Sequence, residues 1–561
     1  MLHRAYHRFV RIALLAALTI LWATMLTASV NATTWAPAAG WPQESATPGS
    51  LWLVNTIADS GTGSLRWALT NAAAGDRIEF APAVFPPGNP ARILVTSALP
   101  RIGVNGLTIS AVGRGVILDG RNAPTGLETG MRIDGAAHVT IQGLQLTSFP
   151  KTGLLVTSAS NTLIGGDRLV GQGNVISGNG GAAIELVGVG CTGNTTAGNL
   201  IGTDATGMTV LHNGAGIVIR WGASHNVIGG LTPGLGNVVS GNGEGILIQG
   251  SGSDGNVIQG NLIGTDITGT RLLGSGQSGI SITTGPNDTL IGGDTPAARN
   301  VIVGGEMYGV KISGISTDAT RVQGNYIGVD ASGAHAFPNG IGIYLGAGAK
   351  RSLVGGETPG TSNVVSGNRD RGVNISDIST DNNLIVGNFI GADATGTAAL
   401  GNGTAGVVIE GWAKNNVIGG VNPSFATDGS NSGCSGRCNV ISGNFGYGVR
   451  IIDRNTTGNQ VLGNAIGTDK SGALNVGNAL AGIAVDVDAS GNKLGQDTAG
   501  TGNLIRFNGE GGVLLAVRSS ANELTGNRIE ENQGIAIRYR PGNTLGSNTC
   551  TGNELNLVEV T

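Results

Sequence analysis

The chain is poor in charge. Only 12% of its 561 residues are Asp, Glu, Lys or Arg, about half of what an average domain carries. With 36 acids against 32 bases the net charge is −4, and no run of Lys or Arg breaks the body of the chain. A nucleic-acid partner needs a basic face, so none is expected. Aromatics make up 4%, and there are four Cys and six His. His138, His212, His225 and His335 stand apart without metal-ligand spacing. There is no G-x-S-x-G elbow for a Ser-His-Asp site, and no phosphate-binding glycine loop ahead of a helix. Pro numbers 17 and Gly keeps no strict period of three, which excludes collagen. Beyond Val30 no long apolar run occurs, so the mature chain is expected to be free of the membrane.

The N-terminus reads as an address. Arg4, Arg8 and Arg11 precede the uncharged stretch Ile12–Val30, and Val30-Asn31-Ala32 offers small residues to a signal peptidase. Residues 1–32 are expected to be a secretory signal peptide, with an uncleaved anchor as the alternative. Residues 33–50 then form a linker, 51–100 an N-terminal cap segment, and 101–561 the repetitive body. Four Cys suit an exported chain that leans little on disulfides. Cys434 and Cys438, close together in the loop SGCSGRC, are expected to bond to each other.

What the chain has in excess is Gly, 100 residues, and Asn, 49 residues, set among 40% hydrophobic residues. Both oppose helix interiors. The phrase NV[IV]-x-G-[NG] opens at Asn174, Asn237, Asn300 and Asn363 at intervals of 63, then at Asn439 and, more loosely, Asn503. A second phrase, GN-x-IG-x-D, keeps the same step and reaches Asp204, Asp266, Asp330, Asp393 and Asp469. Both series stretch by about 13 residues around the Cys434 loop, so one insertion near 422–438 explains both. A third phrase, G-[IV]-x-[IVL], divides each unit into a shorter and a longer turn. Short strands bounded by Gly and Asn, about three per turn, are the pattern of a solenoid. Stacked at ~4.8 Å per coil, Cys191 and Cys550 lie too far apart to pair. The Asn of the first phrase are expected to stack into a ladder that serves one corner. Each Asp opens D-x-x-G, the signature of a type I turn. One Asp per two coils is a poor cage for calcium.

These repeats resemble the right-handed parallel β-helix proteins of the pectin-lyase-like superfamily, whose fold is shared by pectate lyases, polygalacturonases, tailspikes and many bacterial surface proteins. The segment Leu53–Ala81 is similar to the N-terminal segment of exported bacterial members, which implies a first strand and a capping helix. Leu65, Ala68, Leu69 and Ala72 follow helical spacing, and Ser64 suits the N-cap. The expected fold is therefore all-β, a parallel β-helix with about three short strands per coil and an N-terminal cap.

The Asn-Thr-Asp, Asp-Asp, His-Gly and Arg-x-Lys phrases of the polysaccharide-hydrolysing branch do not occur. The chemistry-bearing residues gather near the C-terminus, where Arg450, Asp453, Arg454, Asp486, Asp488, Arg518, Arg538 and Arg540 fall on or beside outward positions. Acidic-polysaccharide lyases of this fold hold calcium with carboxylates and abstract a proton with Arg or Lys, as the resemblance implies. Asp453, Asp486 and Asp488, with Arg450 and Arg518, are the candidates for that role here, and calcium is the one cofactor left open. A solvated charged face is the alternative. Trp221, Tyr344, Trp412 and Tyr539 are candidates for stacking on sugar rings, with packing under neighbouring loops as the alternative. The leading expectation is a non-catalytic, secreted or cell-surface bacterial scaffold that contacts a glycan. A polysaccharide lyase, hydrolase or epimerase is the alternative, and the oligomeric state is left open.

Overall fold

A computed structural model describes residues 49–127, 129–424, 433–516 and 518–559. The expected signal peptide and nearly all of the linker lie outside the described residues. So do residues 425–432 of the insertion near 422–438.

Every named strand of the described residues pairs in parallel with the equivalent strand of a neighbouring coil, in three sheets of 17, 16 and 15 strands. Each coil visits them in the same order. Leu163–Gly165 joins the first sheet, Val175–Ser177 the second and Ala182–Val187 the third. The next coil repeats this with Thr195–Ala197, Leu200–Ile201 and Ala215–Arg220. The result is a right-handed parallel β-helix.

The core is built from aligned aliphatic side chains. Ile184, Ile217, Ile246, Ile280, Val310 and Ile343 sit in register on successive third-sheet strands, each fully buried. Alternation by two sends one residue of each pair inward and the next outward. The outward columns of the third sheet are thus fixed by the same register that builds the core.

The N-terminal end is closed by the helix Leu65–Asn71. The Ser64 hydroxyl accepts from the Trp67 amide, and Leu65, Ala68 and Leu69 face the core. The strand Leu51–Val54 pairs with Arg77–Phe80, which pairs in turn with Thr108–Ser110, so the first sheet runs unbroken from this segment into the repeats.

The 63-residue unit has a physical cause. Each longer coil carries a small antiparallel hairpin between its second and third strands, bridged Thr203 to Val210, Thr265 to Leu272, Val329 to Ala336, Ala392 to Ala399 and Thr468 to Asn475. The hairpins stack on one another across every second coil. The amides of Ile267, Ala331, Ala394 and Lys470 donate to the carbonyls of Gly207, Gly269, Gly333 and Gly396 at 2.9–3.1 Å. A hairpin fills the height of two coils, so the sequence repeats every two.

The Asn series are more extensive than one phrase indicated. Asn174, Asn237, Asn300, Asn363, Asn439 and Asn503 alternate with Asn199, Asn261, Asn325, Asn388, Asn464 and Asn527 in one buried ladder between the first and second sheets. Two further ladders run along the other two corners, for example Asn368–Asn402–Asn444 and Asn383–Asn416–Asn459. In each rung the amide Nδ2 donates across the coils, and the Oδ1 accepts from the neighbouring Asn. Backbone groups at a turn thereby gain partners that no strand supplies.

One glycine position shows why the chain needs so many. Gly229 and Gly355 hold φ near 96° and 90°. A Cβ on either would strike the carbonyl oxygen of the next coil, of Gln259 or Val386.

Candidate functional site

The C-terminal charges do not gather into one centre. Asp486 follows the strand Ala481–Val485, and its carboxylate lies 3.6 Å from the Arg450 guanidinium. Asp488 sits beyond, in a left-handed turn at φ 65°, and pairs with Arg518 at 3.1 Å. The strand alternation that would place Asp486 and Asp488 on one face has ended by then. Asp453, also left-handed at φ 79°, accepts from the Gly411 amide at 3.1 Å. Each carboxylate thus has its own partner. Among the described residues no three His, Cys, Asp or Glu side chains come together as a metal site. A cleft of about 460 Å³ does open on these coils, but it is lined by Glu510, Gln533, Arg538 and Glu554 and by none of those three Asp.

One carboxylate oxygen of each hairpin Asp is ringed by local donors. Asp204 Oδ1 accepts from the Thr206 hydroxyl at 2.8 Å and from the Met208 and Thr209 amides, and Gly207 N closes the turn on the Asp204 carbonyl. Asp266, Asp330, Asp393 and Asp469 repeat this with Thr268, Ser332, Thr395 and Ser471. Burial pushes the carboxyls of Asp204, Asp330, Asp393 and Asp469 up, but these hydroxyl and amide donors outweigh it and hold them below the usual carboxylate value. An oxygen surrounded by N–H and O–H donors has little left for a cation.

Cys434 and Cys438 form a disulfide, with Cα atoms 5.4 Å apart. Cys191 and Cys550 are free. Burial drives the Cys191 thiol up to about 11, which makes it an inert core residue.

The aromatic candidates divide by place. Trp221 and Trp412 lie on the turn that leaves the third sheet, left-handed and 59% and 46% exposed. The Arg220 guanidinium covers one face of Trp221 at 4.0 Å. Tyr539 is half-buried against the last coils of the core. Tyr344 stands at the middle of the third sheet's outer face, and around it is a cluster that the sequence reading missed.

That cluster follows from register. Ser281, Lys311, Tyr344 and Asn374 are successive members of one outward column. Tyr308 opens the strand of Lys311, and its ring centroid lies 4.9 Å from that of Tyr344. The Tyr344 ring passes over Gly346, where any Cβ would collide with it. Its hydroxyl donates to Asp377 Oδ2 at 2.6 Å, and the Ala347 amide donates to the same oxygen. Burial and then the Asp377 carboxylate push the Tyr344 phenol well above its usual value, so it stays a donor. The Lys311 ammonium sits 5.7 Å from the Tyr308 ring centroid. Glu410 accepts from Arg371 and, at 3.3 Å, from Asn374 Nδ2, while the buried Asn374 Oδ1 has no partner. Glu244 accepts from the Ser281 hydroxyl, and burial raises its carboxyl. The two Asn ladders that border the third sheet both break beside these coils, where Ser275, Thr289, Thr320 and Ser352 stand at ladder positions.

The strand topology defines an all-β parallel β-helix of three parallel sheets. No protein-family model and no curated protein sequence matches the chain. Among solved structures it is similar to the A-module of the Azotobacter vinelandii mannuronan C-5 epimerase AlgE6, at 14% identity over 88% of this chain and 97% of that one, with a TM-score of 0.34. It is also similar to the periplasmic alginate epimerase AlgG, at 9% identity over 89% and 83% with a TM-score of 0.27. A third is the pectate lyase Pel9A, at 11% identity over 75% and 76% with a TM-score of 0.28. Likeness at this level concerns the fold alone.

Proposed function

We propose that this protein binds a polysaccharide along the outer face of its third sheet. The observation that carries the reading is the Tyr308–Tyr344 pair, laid on the sheet over Gly346 and ringed by hydrogen-bonding side chains. A sugar ring presents an apolar face to an aromatic and hydroxyls at its rim. The parallel sheet extends the site along a chain of such rings. Trp221 and Trp412 border it on the adjoining turn, exposed and on the same edge.

The reading is one of binding. A lyase, hydrolase or epimerase working through Asp453, Asp486 and Asp488 is the second reading, and those carboxylates are held by separate partners. Export of the chain by residues 1–32 would place the binding face at the cell surface or outside it.

The test is a glycan array probed with the chain from residue 33 onward, followed by calorimetry on the ligands found. Tyr308→Ala with Tyr344→Ala should weaken binding at least tenfold without lowering the thermal midpoint by more than a few degrees. Binding unchanged in that variant refutes the site. Release of unsaturated or shortened products from the bound glycan would replace the binding reading with the catalytic one.

A further inference from the structure

The charge of the face around Tyr344 says which polysaccharide fits. From Glu244 to Glu410, the third-sheet strands and the two residues flanking each carry five carboxylates, Glu244, Glu306, Asp370, Asp377 and Glu410. Against them stand three cations, Lys311, Arg369 and Arg371. Arg371 is already spent between Glu410 and Asp370. Lys311 is drawn to the Tyr308 ring and feels Glu244. Among the described residues Asp377 is met by neutral donors only, the Tyr344 and Ser376 hydroxyls and the Ala347 amide. The aromatic platform is therefore edged by acceptors in net negative excess.

An ionised carboxylate accepts hydrogen bonds and donates none. It complements sugar hydroxyls, amides or ammonium groups, and it repels a carboxylate on every ring of a polyuronate. We infer that the glycan bound on this face carries no carboxylates, and that its rings are neutral or amino sugars. This rests on the polysaccharide-binding reading above, and it sets this chain's ligand apart from acidic polymers.

The experiment is calorimetry of the chain from residue 33 onward with three hexasaccharides, a neutral β-1,4-glucan, a chitosan and an oligogalacturonate, at low and high salt. The expected result is that the glucan or the chitosan binds at least about tenfold more tightly than the galacturonate. Tyr344→Ala should abolish that preference. Any residual galacturonate binding should strengthen with salt, because screening relieves repulsion. Which of the first two binds better separates a hydroxyl-reading site from an ammonium-reading one, and either supports the inference. Galacturonate binding most tightly, and weakening with salt, overturns the inference and leaves the polysaccharide-binding reading standing. Failure of all three to bind, with the Tyr344→Ala variant no different, overturns both.

Discussion

Replacing Asn363 with Ala removes one rung from the middle of the longest ladder. The Asn363 Nδ2 donates to the Val322 carbonyl at 2.7 Å and to Asn388 Oδ1 at 2.9 Å. Its Oδ1 accepts from the Asn325 amide at 2.9 Å and from Asn325 Nδ2 at 3.1 Å. Asn388 Oδ1 keeps a second donor, the Asn363 backbone amide at 3.3 Å. Two groups therefore lose a partner that the substitution does not replace, the Val322 carbonyl and the Asn325 amide, while Asn325 Nδ2 keeps the Ile291 and Gln323 carbonyls. Both lie in the buried interior. A buried group left without a partner costs about 1–3 kcal/mol, so the variant should lose about 2–6 kcal/mol of local stability. Repeat proteins open coil by coil. The measurement is therefore hydrogen exchange at the Asn325 and Val364 amides, with urea unfolding beside it. Exchange should accelerate by at least about thirtyfold, the factor that ~2 kcal/mol implies. The same change at Asn548, part-exposed in a terminal coil, should cost far less. An Asn363→Ala variant within ~1 kcal/mol of the parent would refute the view that the ladder holds the corner.

Further tests address the surface and the ends. Gly346→Ala should lift the Tyr344 ring off the sheet, break its bond to Asp377 and weaken glycan binding as strongly as Tyr344→Ala; unchanged binding would contradict the platform. The lowered carboxyls of Asp204, Asp330, Asp393 and Asp469 contribute stability that is complete above the ordinary carboxylate value and lost as pH falls through their folded values. Urea midpoints should hold steady from pH 7 to about 5 and drop below about 4, with Asp393→Asn showing a shallower drop. A flat profile down to pH 3 would rule this out. Ser64→Ala should cost the capping helix about 1 kcal/mol, read as faster exchange at the Trp67 amide.

The repeat architecture was legible because the chain writes it several times. The steps between Asn174, Asn237, Asn300 and Asn363 are equal, and the alternation in Ile217-Val218-Ile219 states which side chains face the core. Ser64 and Leu65 carry the signature of the capping helix in four residues. The second and third ladders were less visible, since Asn213 and Asn383 sit outside the phrases that repeat most strictly. The candidate site was the least legible. Asp486 and Asp488 look like strand neighbours, but the strand stops at Val485 and the backbone turns left-handed at Val487 and Asp488. Tyr308 and Tyr344 are 36 positions apart and become neighbours only through the stacking of coils. Asp377 reaches Tyr344 from the next coil, through a turn whose φ of 76° no repeat phrase encodes.

The central claim is that a polysaccharide lies on the outer face of the third sheet at Tyr308 and Tyr344. Hydrogen exchange with and without a saturating glycan reads that location directly. Protection should appear in Tyr308–Ser313, Ile341–Gly346 and Arg371–Ile375 and the turn through Asp377, and it should vanish in Tyr344→Ala. Protection confined to the coils of Asp486 and Arg518, or to the stacked hairpins, would contradict the account.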